Sequence, residues 1–284
     1  MLFRSLCAGL SERVRIQLIE PLCVAALNTP ANVASASVFL RVLKDALFSG
    51  PGSADLLLPR RSLSELLPAP AQHWLERADT SIRLSQRVDL LQPADGGWLV
   101  NGLRFDAVIL AVTAVEASRL IGPLRADWSV QAAALRYEPI VTVYARAANA
   151  RLAQPMLALP ASVDGDGNPA QFVFDLGLLN GQAGLLAFVI SGARRWVERG
   201  IDTTIDETLI QGRRELARSL RGPLVPVRAL TEKRATFACT PGLERPPAVI
   251  RDGLVAAGDY VDGPYPATLE GAVRSGLFAA RSIS

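Results

Sequence analysis

The sequence has little of several residue types that build common catalytic and metal sites. It holds one histidine, His73, and three widely spaced cysteines. A multi-histidine zinc site, a disulfide framework and a paired-cysteine metal site are therefore excluded, and we predict no metal site. No Gly-x-Ser-x-Gly motif accompanies His73, so we interpret it as a helix-surface or core residue. No run of ~18 apolar residues occurs, and we expect no membrane-spanning helix.

Lysine is also nearly absent: of 30 basic residues, only Lys44 and Lys233 are lysines. The formal net charge is +3, because 27 acidic residues accompany the basic ones. The densest basic clusters are pairs such as Arg60-Arg61, and no stripe of positive charge emerges. Since nucleic-acid binding needs a clustered positive surface, we do not expect nucleic acid as a partner.

Helical and strand patterns alternate along the 284 residues, which is enough chain for two domains. Residues 1–48 have apolar positions at helical spacing, and a second helix-prone stretch covers 62–78. Short apolar runs between Gly and Asn turns predict an antiparallel ribbon ending in a buried strand within 82–112. Further strands are predicted at 140–145, 171–175, 185–190 and 254–257, and further helices at 115–121, 205–220 and 266–281. The predicted fold class is α/β with α+β elements mixed in.

The most informative segment is 254–276, which predicts a buried strand, a Gly258-Asp259 turn, a Gly/Pro loop and a helix. Pro266 stands at or near the first helical position, where its missing N–H costs nothing. Gly271 and Gly276 lie inside the helix and indicate a close approach by another element or a ligand. The free N–H groups at the start of such a helix suit an anion or a polarised carbonyl.

This segment resembles the C-terminal FAD motif of the amine oxidase and phytoene desaturase flavoenzymes. The resemblance implies that Asp259, after Gly258, contacts the ribityl–pyrophosphate region of FAD. It also implies that Ala267, Thr268 and Leu269 bring backbone N–H groups to the flavin C2 carbonyl and N1, where they stabilise negative charge on the reduced ring.

Three further stretches, 20–30, 55–59 and 232–237, resemble one branch of this family, the squalene-associated FAD-dependent desaturases. Val88 matches a position whose backbone meets the adenine, and Ala114 ends a stretch that lies near the cofactor. The branch implies removal of the hydroxyl of hydroxysqualene with reduction, which yields squalene for hopanoid biosynthesis. FAD would be the redox carrier, an external donor would recharge it, and the substrate would be an isoprenoid lipid.

The chain departs from the family in one respect, because no Gly-x-Gly-x-x-Gly motif occurs in it. We therefore expect an N-terminally truncated chain with an incomplete FAD-binding Rossmann-like domain and a substrate domain of antiparallel sheet and helices. Residues 1–53 are predicted as the helical part of the substrate domain and 54–122 as part of the FAD domain. Residues 123–232 are predicted as the substrate sheet and helix, and 233–284 as the C-terminal part of the FAD domain.

The catalytic acid is not identified by the sequence. Lys233 is a weak candidate for a flavin-facing role, because amine oxidases use a lysine near the ring, and a solvated strand residue is the alternative. Tyr260 and Tyr265 flank the loop and face cofactor, substrate or core. The amphipathic stretch 38–47 packs in the core, lines a lipid tunnel or touches a bilayer. We expect a cytoplasmic protein or one peripheral on the inner face of the cell membrane.

Two other functions stay open on the sequence. One is a different member of the family, a carotenoid desaturase or a flavin amine oxidase. The other is an inactive fragment without bound cofactor.

Overall fold

The computed structural model describes residue 7 and residues 9–162 and 167–283. These residues form two compact units whose segments alternate along the sequence. The first unit is the described part of Met1–Gly50, Arg87–Glu138 and Arg234–Ser284, and the second is that of Pro51–Gln86 and Pro139–Lys233. The predicted mixture of helices and sheets is confirmed. The sequence prediction divided the chain into four segments by their roles in binding cofactor or substrate. A division into compact units does not test those roles, so the four segments stay a prediction.

The described elements follow one another as helices, then strands and helices in alternation. After a helical turn, Glu12–Val14, and a π-helical stretch, Arg15–Ile19, the helices are α1 (Glu20–Leu27), α2 (Ala36–Leu47), α3 (Leu63–Leu66), α4 (Pro68–Arg77), α5 (Ala114–Ile121), α6 (Ala126–Ala133), α7 (Leu176–Asn180), α8 (Arg194–Arg199), α9 (Ile201–Glu215) and α10 (Leu269–Ser282). The strands are β1 (Leu91–Ala94), β2 (Gly97–Val100), β3 (Leu103–Phe105), β4 (Val108–Leu110), β5 (Tyr137–Arg146), β6 (Met156–Ala158), β7 (Phe172–Asp175), β8 (Leu185–Ile190), β9 (Val225–Phe237), β10 (Val249–Arg251) and β11 (Leu254–Ala256). None of the described helices is long and apolar enough to cross a bilayer.

The predicted antiparallel ribbon exists as the sheet β1-β2-β3 in the first unit. Two of its predicted strands are wrong. Residues 82–84 form no strand, and β1 begins at Leu91 instead of Val88. The cause at Val88 is the side chain of Asn101, whose Oδ1 accepts hydrogen bonds from the amides of Asp89 and Leu90, each at 3.0 Å. Because these two amides donate to a side chain, they are not available for hydrogen bonds to a neighbouring strand.

The buried strand β4 leaves the ribbon and joins a different sheet. It pairs in parallel with β11, and β10 pairs antiparallel on the other side of β11. Helix α10 covers one face of this sheet, where Ala279 packs against Val255 and Ile109. Leu110 and Leu254 point into the larger core of the first unit, on the opposite face. This arrangement brings β4 and β11 together across more than 140 residues of sequence.

The second unit is built on a five-stranded sheet in the order β6-β7-β8-β5-β9, in which β6, β7, β8 and β5 pair antiparallel with their neighbours in that order. Helix α9 packs on one face of it. A Cβ on Gly212 of α9 would lie 2.9 Å from the Phe188 ring and 2.8 Å from the Leu224 side chain, so glycine lets helix and strand approach closely. His73 is exposed on α4, as predicted for a surface residue.

Candidate functional site

The carboxyl ends of β4 and β11 meet at one edge of the sheet in the first unit. The amide of Ala257 donates a hydrogen bond to the carbonyl oxygen of Leu110 over 3.0 Å. The chain after β4 leads to Ala114, which is buried, and the chain after β11 leads to Gly258 and Asp259. Ligands of parallel α/β sheets bind at this edge, beyond the carboxyl ends of the strands. The structure therefore brings three predicted cofactor residues, Ala114, Gly258 and Asp259, to an edge of the kind that binds ligands.

Residues 257–268, which we call the β11–α10 loop, have as their second residue a glycine, Gly258, that has no room for a side chain. A Cβ on Gly258 would lie 2.6 Å from the ring of Tyr260. The amide of Gly258 donates to Ser275 Oγ at 3.0 Å, and its carbonyl accepts from the amide of Val261 at 3.3 Å. The start of the loop is thus held against helix α10 through main-chain contacts that a larger residue would displace.

Asp259 supplies a carboxylate at this edge. It is half-buried, and burial raises its pKa above the usual range for aspartate. A hydrogen bond from the amide of Tyr260 and the charge of Arg245 oppose this rise by favouring the ionised form. A half-buried carboxylate with these neighbours is an acceptor for the hydroxyl groups of a ligand.

Tyr260 lies in the core below the loop, with 3% of its surface exposed. Its hydroxyl is buried and finds no hydrogen-bond partner among the described residues. Burial raises its pKa, and the neighbouring Tyr137 and Asp259 raise it further. Burial likewise raises the pKa of Tyr137. Tyr260 therefore packs in the core, which is one of the three environments left open by the sequence, and its hydroxyl can still donate to a bound group.

Helix α10 begins at Leu269, three residues after the start predicted at Pro266. Thr268 is the N-cap: its backbone is extended (φ −141°, ψ 157°), and its Oγ1 accepts from the amide of Gly271 at 3.1 Å. This cap, rather than the proline, sets the first turn. The first amides of the helix have no intrahelical partner and form a partial positive end. The contact of Thr268 and Leu269 with a flavin stays a prediction. Ala267, just before the cap, is partly buried against the core of the first unit.

The glycines inside α10 differ in their surroundings. A Cβ on Gly271 would meet the carbonyl oxygen of Pro266 and the Oγ1 of Thr268, each at 3.4 Å. No described atom lies within 4 Å of a Cβ placed on Gly276. No described element therefore approaches Gly276 closely, and the alternative, a close approach by a ligand, stays a prediction.

Tyr265 ties the β11–α10 loop to helix α2. Its hydroxyl donates to Asp45 Oδ2 over 2.9 Å, and Arg41 donates to the same carboxylate oxygen at 2.7 Å. The guanidinium groups of Arg41 and Arg274 each lie 5.3 Å from the centre of the Tyr265 ring. These contacts hold the end of the loop from two sides.

The two remaining predicted residues belong to other segments of the chain than the β11–α10 loop. Val88 is half-buried, and its carbonyl oxygen accepts from Arg119 Nη2 at 2.6 Å, next to helix α5. Its contact with an adenine stays a prediction. Lys233 is exposed on β9, in the second unit, and its flavin-facing role also stays a prediction.

A cavity lies at the β11–α10 loop in the first unit, and another lies on the sheet of the second unit. In the first unit, a cavity of about 190 Å³ is lined by Asp259, Asp262, Gly271, Arg274 and Ser275, among others. In the second unit, a cavity of about 450 Å³ lies on the sheet and is mainly apolar, with a few polar side chains. Its wall includes Leu58, Phe174, Leu185, Ala187, Val189, Thr142, Tyr144, Asn180 and Gln182.

The first unit fits the flavin and ribityl parts of FAD. Asp259 can accept from hydroxyl groups, the amides that begin α10 can donate to a carbonyl, and the buried hydroxyl of Tyr260 has a free donor. A Gly-x-Gly-x-x-Gly turn for the pyrophosphate does not occur in the 284 residues.

Three residues of the site were given no role from the sequence. Arg245, Ser275 and Tyr137 act on the loop through main-chain contacts, burial or charge. Arg245 and Tyr137 belong to no spaced motif, and Ser275 lies within the segment 254–276 without a predicted role. The one feature near Arg245 is the Pro246-Pro247 pair, which predicts only an extended approach to β10.

Comparison with known proteins gives a family match over nearly the whole chain. The sequence profile of the flavin containing amine oxidoreductases matches residues 9–284. A hydroxysqualene dehydroxylase of Sinorhizobium fredii is 29% identical over 282 residues, and one of Rhodopseudomonas palustris is 29% identical over 278 residues. Each alignment covers 93% of this chain and 61% of the relative, so the chain spans about three fifths of their length.

The fold is also that of a solved oxidoreductase. A crystal structure of an oxidoreductase from Methanosarcina mazei superposes with a TM-score of 0.72 at 13% identity, over 99% of this chain and 67% of that one. At this identity the likeness shows a shared fold.

Proposed function

We propose, from the premise that this chain belongs to the flavin containing amine oxidoreductase family, that it is an FAD-dependent oxidoreductase which converts hydroxysqualene to squalene. The observation that supports FAD as the cofactor is that β4, β11 and the start of α10 meet around Asp259. The relatives named hydroxysqualene dehydroxylase support the substrate.

The chemistry is a reductive removal of a hydroxyl group. The hydroxyl leaves as water and the carbon gains hydrogen, so each turnover consumes two electrons and two protons from an external donor. Bound FAD supplies the carrier for those electrons. Asp259 binds the ribityl chain of the cofactor, and the amides at the start of α10 stabilise negative charge at the ring. Gly258 and the cap of Thr268 keep these groups in place.

The second unit offers a surface suited to an isoprenoid chain. The 450 Å³ cavity on the five-stranded sheet is mainly apolar, and Thr142 and Tyr144 place hydroxyl groups in its wall. An apolar substrate gains most from such burial, while a few polar groups can orient its hydroxyl.

A membrane surface is the proposed source of so apolar a substrate. Helix α2 buries Phe39 on its inner face, as expected for an amphipathic core helix, but leaves Leu40 and Leu47 exposed. Phe48, directly after the helix, is 76% exposed, and Lys44 is exposed beside it. Apolar side chains with a basic neighbour favour contact with an anionic bilayer. We therefore propose a cytoplasmic protein that binds the inner face of the cell membrane.

The function is tested by anaerobic turnover with added FAD and a chemical reductant in place of the donor. Hydroxysqualene, phytoene and a set of primary amines are supplied separately, and products are identified by gas chromatography and mass spectrometry. Squalene from hydroxysqualene alone supports the proposal. A desaturated product from phytoene or an aldehyde from an amine, with an electron acceptor supplied, would favour the other members of the family, and absence of all products would favour an inactive fragment.

A further inference from the structure

Arg245 makes an unusual pair of contacts with the β11–α10 loop. Its Nη1 donates to the carbonyl oxygen of Asp259 at 3.1 Å, and its Nη2 donates to the carbonyl oxygen of Gly263. The two acceptors are four residues apart, at either end of the 259–263 segment. One guanidinium thus closes the segment like a clasp, which needs the planar fork of donors that arginine has and lysine lacks.

The surroundings of Arg245 hold its side chain in one place. It is half-buried, its guanidinium lies 5.1 Å from the centre of the Phe237 ring, and its own carbonyl oxygen accepts from Gln131 Nε2 at 3.1 Å. The next residue, Pro246, accepts from the amide of Asp262 at 2.9 Å. Both the guanidinium and the main chain of this segment therefore bind the 259–263 segment.

The contacts of Arg245 leave the Asp259 carboxylate available. Among the described residues, Arg245 forms no salt bridge within 4.0 Å, and its guanidinium donates to the main-chain carbonyls of Asp259 and Gly263. Its positive charge still acts on Asp259 and Asp262 at longer range. Arg245 can therefore orient Asp259 without occupying the carboxylate oxygens that a ligand would use.

We propose that Arg245 is the positioning residue of the cofactor loop: by bridging the carbonyl oxygens of Asp259 and Gly263, it presents the Asp259 carboxylate to the ribityl hydroxyls of FAD. The proposal rests on the proposed function for the identity of the ligand. It goes further by assigning a role to a residue outside the motif, one that acts through the main chain.

The test compares the unmodified chain with Arg245→Gln and Arg245→Lys by hydrogen–deuterium exchange without added flavin. Arg146→Gln serves as the matched control, because Arg146 also donates to a main-chain carbonyl, that of Ala183, at 3.3 Å in the second unit. We expect amides of the β11–α10 loop to exchange roughly tenfold faster in Arg245→Gln, with β4 and β11 unchanged. Arg245→Lys keeps the charge and reaches one carbonyl at most, so it should show the same change at reduced size.

A second readout is the affinity for FAD, measured by quenching of flavin fluorescence. We expect Arg245→Gln to weaken binding roughly tenfold and Arg146→Gln to leave it unchanged. Unchanged loop exchange, or faster exchange spread evenly over the first unit, would overturn the assignment. If Arg245→Gln fails to fold, the exchange rates and FAD affinity of Arg245→Lys test the assignment in its place. If the loop amides exchange faster as expected but the chain binds no FAD, the proposed function is overturned, whereas the structural role of Arg245 in the loop is retained.

Discussion

The amide of Ala257 donates a hydrogen bond to the carbonyl oxygen of Leu110 over 3.0 Å, although 147 residues separate the two along the chain. This contact extends the parallel pairing of β4 and β11 by one step and sets both strand ends at a single edge. The positions of Gly258, Asp259 and the start of α10 follow from that edge. Gly258 and Asp259 leave it directly, and the loop returns over it to the start of α10.

The raised pKa of Asp259 predicts a pH dependence of stability. Burial makes the folded chain hold this proton more tightly than the unfolded chain does. Without flavin, stability therefore falls as pH rises from the usual range for aspartate through the raised value. Asp259→Asn cannot ionise and should be the more stable protein at neutral pH, with the difference vanishing in acid. Melting temperatures measured across this range check it, and lower stability of the variant at neutral pH would contradict it.

The same substitution should weaken FAD binding. The carboxylate can accept several hydroxyl hydrogen bonds, whereas the amide offers one acceptor oxygen and donates with its nitrogen. Loss of a charged hydrogen bond predicts a fall in affinity of roughly tenfold or more, about 1.5–3 kcal/mol. Affinity in the unmodified chain should also decline in acid as Asp259 takes up its proton. Equal affinities for the two proteins at neutral pH would count against the assigned role.

Gly258 should tolerate no side chain. In Gly258→Ala, the added Cβ would stand 2.6 Å from the Tyr260 ring, which is closer than real contacts allow. We expect a loss of about 1–3 kcal/mol in the free energy of unfolding. Gly276→Ala is the control, since open space surrounds its Cβ position and alanine favours a helix by about 1 kcal/mol. Denaturant titrations should show opposite signs for the two variants; the same sign would refute the packing argument.

The cap of α10 gives a further prediction. Thr268→Ala removes the oxygen that accepts from the amide of Gly271, which should cost about 1 kcal/mol of stability. Thr268→Ser retains the hydroxyl and should restore most of it. Urea unfolding of the three proteins measures the difference. If alanine and serine behave alike, the cap does not set the start of the helix.

The local parts of this site could be predicted from the sequence. Short stretches of sequence are enough to predict a buried apolar strand, a Gly-Asp turn and a helix. Gly258, Asp259 and the N-terminal region of α10 were therefore placed correctly on their elements. The helix start was missed by three residues because Pro266 is a strong signal, whereas the capping oxygen of Thr268 gives a weaker one.

The remaining parts depend on contacts between distant segments. The partner of β4 could have been any strand, and only the folded chain shows β11 beside it. Residues 88–90 look like a strand until the Asn101 side chain takes their amides. Arg245 was missed for a similar reason. It donates to two main-chain carbonyls, and since every residue has such a carbonyl, the sequence does not show which ones an arginine will contact.

Cofactor binding at Asp259 and the start of α10 is tested most directly by the visible spectrum of the purified chain titrated with FAD. We predict that flavin stays with the protein through gel filtration, that its absorbance bands shift and sharpen, and that Asp259→Asn retains less of it. A protein that remains colourless after addition of FAD, while the unmodified chain is folded by circular dichroism, would contradict the claim that Asp259 and the start of α10 hold the cofactor.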